Sequence, residues 1–308
     1  MRLGSYLIYF LGKASCLFEK ESYMVKAMTL EPKYDEIGYW SEIKLDIIRE
    51  YASAYSRILR SQESPNFYHI YIDAFAGAGV HISKRTGEFF PGSPFNALMV
   101  KPPFREYHYI DIDRKKIDEL EKLAGSRKDI KIYHGDCNKV LLNKVLPCAK
   151  YSDFRRALCI LDPYGLHLDW QLLYTAGQMK SVEIFLNFPV ADMNRNVLWR
   201  KPEGVPSSQI DRMTRFWGDD SWRKVAYEPS PQMGLFGEVE ERKVSNETIA
   251  EAFRSRLNKV AGFKNVPKPI AMRNTQNAVV YYLFFASHKP VAEGIVKDIF
   301  KKYKNRRG

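Results

Sequence analysis

Apolar residues return every three or four positions at Trp40, Ile43, Leu45, Ile47, Ile48, Tyr51, Tyr55 and Ile58, which predicts a helix over about 40–60 with Ser41 as its N-cap. Beyond the polar stretch Ser61 to Asn66 the pattern changes to an apolar strand, Tyr68 to Phe75, that stops at Ala76-Gly77-Ala78-Gly79. Residues 80–92 read as a loop, after which Ser93 caps a helix to about Val100 with Pro94 at its first position. A second strand, Glu106 to Asp111, leads to a helix from about Asp113 to Leu123, and a third strand, Ile130 to Tyr133, to a helix from Lys139 to Leu146. The unbroken apolar run Ala157 to Leu161 is a buried fourth strand, and Val182 to Phe188 is the fifth. Short helices around 207–217 and a Pro/Gly-rich loop at 229–237 follow. Ser245 then caps a helix to about Val260, Lys268 to Arg273 pairs with Val279 to Ala286, and a last helix covers about 290–303.

Strands alternating with helices give an α/β fold with a mostly parallel sheet covered by helices on both faces. The closing strand pair is too closely connected for a crossover, so it forms a hairpin with an antiparallel strand. The expected organisation is an N-terminal extension over 1–32 and one α/β domain over 33–308, with an inserted helical and loop region at about 191–244 on the substrate side. Met1-Arg2 and the apolar run Leu3 to Leu11 mimic a signal peptide, but the run is too short to cross a bilayer and no A-x-A-like site follows. Met24 and Met28 are plausible true starts, so residues 1–27 are expected to be a mis-called extension or a mobile tail.

Composition adds a core and a direction of charge. The 308 residues are 45% apolar and 14% aromatic, ample for a globular interior. Cys16, Cys137, Cys148 and Cys159 show neither a C-x-x-C pair nor metal-ligand spacing with the six histidines, so reduced thiols in the cytoplasm and no metal site are expected. The net charge of +12 is uneven, with 22 basic and 13 acidic residues in 191–308. That surplus points to a polyanionic partner, nucleic acid first, with a solvated basic face as the alternative. Arg195, Arg212 and Arg215 are the candidate phosphate contacts, among bases interleaved with Trp217 and Trp222 in a composition suited to stacking; the alternative is a pair of amphipathic cover helices with solvated arginines. Asn187, which ends strand five, is a candidate for the same surface.

Chemistry concentrates at the strand ends. Asp73-Ala74-Phe75-Ala76-Gly77-Ala78-Gly79 closes strand one with glycines that let a ligand approach the backbone, or that merely make a tight turn. A nicotinamide fingerprint needs a third glycine where Ile82 stands, so a dinucleotide site is disfavoured. Asp111 ends strand two, where a carboxylate can accept both hydroxyls of a ribose, while Asp113 reads as a helix cap. His134-Gly135-Asp136-Cys137 ends strand three, where Asp136 can take an adenine amino group and the flanking backbone can complete recognition. Leu161-Asp162-Pro163-Tyr164-Gly165 ends strand four. There a carboxylate and a backbone carbonyl can align an exocyclic amine while the tyrosine stacks on its base; the alternative is a plain Asp-Pro turn.

This series resembles the class I methyltransferases, and Asp162-Pro163-Tyr164-Gly165 resembles the D/N-P-P-Y/F motif of amino-directed nucleic-acid methyltransferases, with one proline where that motif has two. Together with Gly38 to Leu45, Gly92-Ser93-Pro94 and Phe185 to Pro189, it resembles more narrowly the three-Cys-motif partner family, over roughly residues 33–290. The resemblance implies a Rossmann-like class I methyltransferase fold with a seven-stranded sheet. It implies S-adenosylmethionine held by Asp73, Phe75, Ala76, Gly77, Gly79, Asp111, Asp136 and Cys137, and catalysis by Asp162, Pro163 and Tyr164. It also implies a three-Cys-motif protein, itself similar to radical S-adenosylmethionine enzymes, as partner. The leading expectation is methyl transfer to an amino nitrogen of a nucleobase. A non-catalytic accessory subunit and a small-molecule methyltransferase are the alternatives.

Overall fold

The computed structural model describes residues 35–62, 67–233 and 239–304. The extension expected over 1–32 lies outside the described residues. In chain order the elements are β1 (Glu36–Ile37), α1 (Tyr39–Arg60), β2 (Tyr68–Asp73), β3 (Val80–Ser83), β4 (Phe89–Pro91), α2 (Ser93–Leu98), β5 (Glu106–Asp111), α3 (Arg114–Ala124), β6 (Ile130–His134), α4 (Cys137–Val140) and β7 (Arg155–Leu161). The second half holds α5 (Trp170–Met179), β8 (Val182–Phe188), α6 (Val190–Asn196), α7 (Ser207–Trp217), α8 (Trp222–Ala226), β9 (Tyr227–Met233), β10 (Val239–Lys243), α9 (Asn246–Lys259), β11 (Ile270–Arg273), β12 (Val279–Ala286) and α10 (Pro290–Lys304).

Seven strands pair in the order β6-β5-β2-β7-β8-β12-β11, and only β12 runs against its neighbours. Successive side chains of a strand point to opposite faces. Ile70, Ile72, Cys159, Leu161, Ile184 and Leu186 therefore join a core under α5, α7 and α9, whereas Tyr71, Leu158, Ile160 and Phe185 join a second core under α1, α2, α3 and α10. Burial on both faces is why these strands read as continuous apolar runs rather than alternating ones. Phe253 of α9 anchors the first core, ringed by Phe188, Phe216, Phe284, Trp170 and Trp217. No helix among the described residues is long and apolar enough to cross a membrane.

The structure departs from the sequence pattern at the caps and loops. Gly38 and Gly92, not Ser41 and Ser93, occupy the N-cap positions of α1 and α2, and both serines lie inside the first turn. Residues 80–92 are an antiparallel hairpin, β3 with β4, joined by β1 into a small separate sheet. The expected 229–237 loop includes part of a second hairpin, β9 with β10. The helix expected over Lys139–Leu146 begins earlier, at Cys137, because the Asp136 carboxylate caps it by accepting from the Lys139 N–H at 3.1 Å; it then continues as a π turn over Leu141–Val145 and a 3₁₀ turn over Leu146–Cys148. Short hairpins carry weak periodicity, so turn-forming residues outweighed it in the sequence pattern.

Candidate functional site

The carboxyl ends of β2, β5, β6, β7 and β8 meet along one edge of the sheet, the edge where open α/β folds bind ligands. At the end of β2 the chain turns through Gly77 at φ +65° and Gly79 at φ +85°, a left-handed conformation that favours glycine. The β3–β4 hairpin then folds back so that the Gly92 N–H donates to the Gly79 carbonyl at 2.8 Å. A Cβ on Gly92 would stand 2.9 Å from that carbonyl group, which explains glycine there. The loop expected to part the glycine turn from α2 thus brings the start of α2 back beside it.

Asp73 is fully buried beneath this turn. Its Oδ1 accepts the Phe75 N–H at 3.3 Å, and the Ser93 hydroxyl is close enough to favour the charged carboxylate. Burial, reinforced by the Asp162 and Asp111 carboxylates, pushes Asp73 up to about 7. Asp111 accepts the Gly77 N–H at 2.9 Å on one oxygen and the Asp113 N–H at 2.8 Å on the other, which leaves lone pairs on both for hydroxyl donors. Asp113 caps α3, as its position in the sequence indicates. Asp136 is exposed at the end of β6 while capping α4; the Cys137 side chain is in the core, its thiol pushed up to about 12 by burial, so only its backbone can face a ligand. Phe75 and Ala76 lie in the turn itself.

At the end of β7, Asp162 is held from both sides. Asn187 of β8 donates from Nδ2 to Oδ1 at 2.7 Å, and Lys44 of α1 donates from Nζ to Oδ2. The Asn187 Oδ1 is buried without a partner and adds an acceptor beside the carboxylate. Burial works against the Lys44 ammonium, but the adjacent Asp162 carboxylate more than offsets it and holds Lys44 above the usual lysine range. The ammonium also lies 5.4 Å from the centre of the Tyr281 ring, whose hydroxyl burial pushes up to about 12. Glu42, one residue pair earlier on α1, accepts from Ser83 at 2.5 Å and pins this end of the helix to β3.

Pro163 is buried and Tyr164 is 73% exposed at the mouth, with the Lys116 ammonium 5.7 Å from its ring centre. Gly165, at φ +62°, leaves no room for a side chain because Asp192 stands 2.5 Å from where its Cβ would be.

The structure separates the residues assigned to nucleic acid. Asn187 belongs to the interior of the site, committed to Asp162. Arg212 is tied to Gln209 at 2.7 Å and to Asp192 at 3.7 Å, beside His167. Arg195 and Arg215 are exposed. Trp217 and Trp222 are buried, which removes them as stacking platforms; their spacing reflects amphipathic helices packing on the core. Sequence reasoning missed Lys44 and Tyr281. The signal for Lys44 was a lysine on a face otherwise filled by Ile43, Ile47 and Ile48, with nothing local to link it to a carboxylate 118 positions away.

No family model matches the chain, and no curated protein sequence matches it. Solved structures similar to it include LPL1258 from Legionella pneumophila, at TM-score 0.49 and 12% identity over 85% of this chain and 92% of that one. A Thermobifida fusca protein provisionally assigned as a methyltransferase gives 0.37 and 13% over 79% and 81%, and Trm5b from Pyrococcus abyssi 0.32 and 15% over 77% and 48%. The resemblance to three-Cys-motif partner proteins therefore rests on the quoted motifs. The strand order with its single reversed strand is that of the class I methyltransferases, and this chain has their fold.

Proposed function

We propose that this protein is an S-adenosylmethionine-dependent methyltransferase acting on an amino nitrogen of a nucleobase in nucleic acid. The observation that carries the reading is the acceptor pair at the ends of β7 and β8, the Asp162 carboxylate beside the partnerless Asn187 Oδ1. An exocyclic amine offers two N–H donors to such a pair and keeps its lone pair for the methyl carbon. A carboxylate already engaged by an ammonium and an amide N–H suits a nucleophile that needs alignment rather than deprotonation.

The residues at the other strand ends fit the cofactor. Asp73 is a buried acid at the end of β2, just before the glycine turn, and would take the cationic amino-acid end; Asp111 would hold the ribose and Asp136 the adenine. When bound, S-adenosylmethionine supplies an electrophilic methyl group. Asp162 and Asn187 orient the amine toward it, and Tyr164 at the mouth offers a ring on which the base can stack. The surplus of basic residues in 191–308, with Arg195 and Arg215 exposed, supports a polyanionic substrate.

Titration calorimetry tests the cofactor assignment. Binding of S-adenosylmethionine that weakens at least tenfold in Asp111→Ala is the expected result, and no heat of binding to the intact protein would remove the enzyme reading.

The Lys44 ammonium on Asp162 favours a second reading, in which the amine subsite is filled and the chain serves as an accessory subunit of a three-Cys-motif protein. Co-purification with such a protein, without methyl transfer to any nucleic acid, would support it. Turnover abolished by Asp162→Ala would exclude it.

A further inference from the structure

At the opposite end of the sheet, where β7 and β8 begin, α1 and α10 leave a cavity of about 340 Å³, within the range of small-molecule sites. It lies about 20 Å along β7 from Asp162, so it forms no part of the site described above. Its walls are apolar and aromatic, built by Tyr51, Leu59, Phe67, Tyr151 and Ile295.

Gln62, Lys180, Ser181, His288 and Lys289 add polar groups at its margin, and three further polar groups lie among the rings. Arg156 is only 9% exposed, its guanidinium lying 3.8 Å from the Tyr151 ring centre and 4.8 Å from that of Phe67. Its Nη1 donates to the carbonyls of Tyr151 and Arg155, and among the described residues it pairs with no carboxylate. The Tyr55 hydroxyl is buried without a partner and within electrostatic reach of both Arg156 and Glu183. Glu183 accepts from the Tyr51 hydroxyl, and burial pushes its carboxyl up to about 7.

A buried guanidinium without a counter-ion and a buried phenol without an acceptor are both costly. One group relieves both, a carboxylate. Inorganic phosphate could take the same cations but would leave the rings and aliphatic side chains uncovered, whereas a monocarboxylate with an apolar body buries that body on them.

We infer that this cavity binds a small carboxylic acid with an aromatic or branched apolar body, its carboxylate on Arg156 and the Tyr55 hydroxyl. Glu183 also lines the cavity and can accept from an N–H donor, which favours acids that carry an amino group next to the carboxylate.

Calorimetry on the full chain with 3-phenylpropanoate, L-phenylalanine, 2-phenylethylamine and inorganic phosphate tests this. The two carboxylates bind, and the amine and phosphate do not. Arg156→Gln weakens carboxylate binding at least tenfold and Tyr55→Phe about fivefold, while S-adenosylmethionine titrations are the same in both variants. Should Arg156→Gln fail to fold, Tyr55→Phe and the cavity-filling Leu59→Trp decide. Absence of carboxylate binding, binding by phosphate or the amine alone, or binding unchanged in Tyr55→Phe and Leu59→Trp would each overturn the proposal.

Discussion

Lys44→Met removes the ammonium that pairs with Asp162 while keeping a side chain of similar length on α1. Losing one member of a fully buried ion pair costs about 3–5 kcal/mol, because the remaining charge is stranded. Here the Lys44 side chain is 11% exposed but that of Asp162 is 32% exposed, and Asp162 keeps its bond to Asn187. Water reaches the stranded carboxylate, so the loss falls between the buried and surface limits, at about 2 kcal/mol. Adding Asp162→Asn removes the stranded charge and is expected to return about 1 kcal/mol, so the two substitutions are strongly non-additive. Denaturant melts of the wild type, both single variants and the double variant at neutral pH give the coupling directly. A Lys44→Met loss below about 0.5 kcal/mol with additive effects would refute the assignment of Lys44 as the residue that holds Asp162 in place.

Asp73→Asn tests the buried carboxyl. A carboxyl raised in the folded state is protonated there at pH values where the unfolded chain has already ionised. Stability is therefore lost as pH rises from 3.8 toward about 7, on the order of 4 kcal/mol in all. Asp73→Asn should stabilise the protein more at pH 8 than at pH 5, while weakening S-adenosylmethionine binding; equal effects at both pH values would contradict the burial argument. Gly92→Ala forces a Cβ against the Gly79 carbonyl and should weaken S-adenosylmethionine binding at least tenfold in calorimetry, with stability lowered by about 1–3 kcal/mol. Phe253→Ala opens a cavity among five aromatic rings and should cost about 3–5 kcal/mol in thermal or denaturant melts with the cofactor affinity unchanged.

The parallel strands were legible because burial on both faces makes them predominantly apolar and aromatic even where Glu106, His108 or Glu183 interrupts the run; Glu106–Asp111 and Val182–Phe188 match their expected ranges. The strand-end acids were legible because each breaks an apolar run. Local pattern misled at the helix caps and left the tryptophans open. Ser41 and Ser93 have the chemistry of caps, yet Gly38 and Gly92 fill those positions, and Gly92 is required by its contact with Gly79. Trp217 and Trp222 among arginines fitted either a stacking surface or amphipathic cover helices, and their burial in the core decides for the cover helices. Lys44 was illegible for a different reason. Its partner is fixed only when α1 packs across the sheet, and no spacing along the chain encodes that contact.

Transfer of a labelled methyl group from S-adenosylmethionine into purified RNA and DNA, by the wild type and by Asp162→Ala, tests the central claim most directly. The expected result is label in an N-methylated base with the wild type and its loss in Asp162→Ala, with cofactor binding retained. Cofactor binding without label in either nucleic acid, or label that persists in Asp162→Ala, would contradict it.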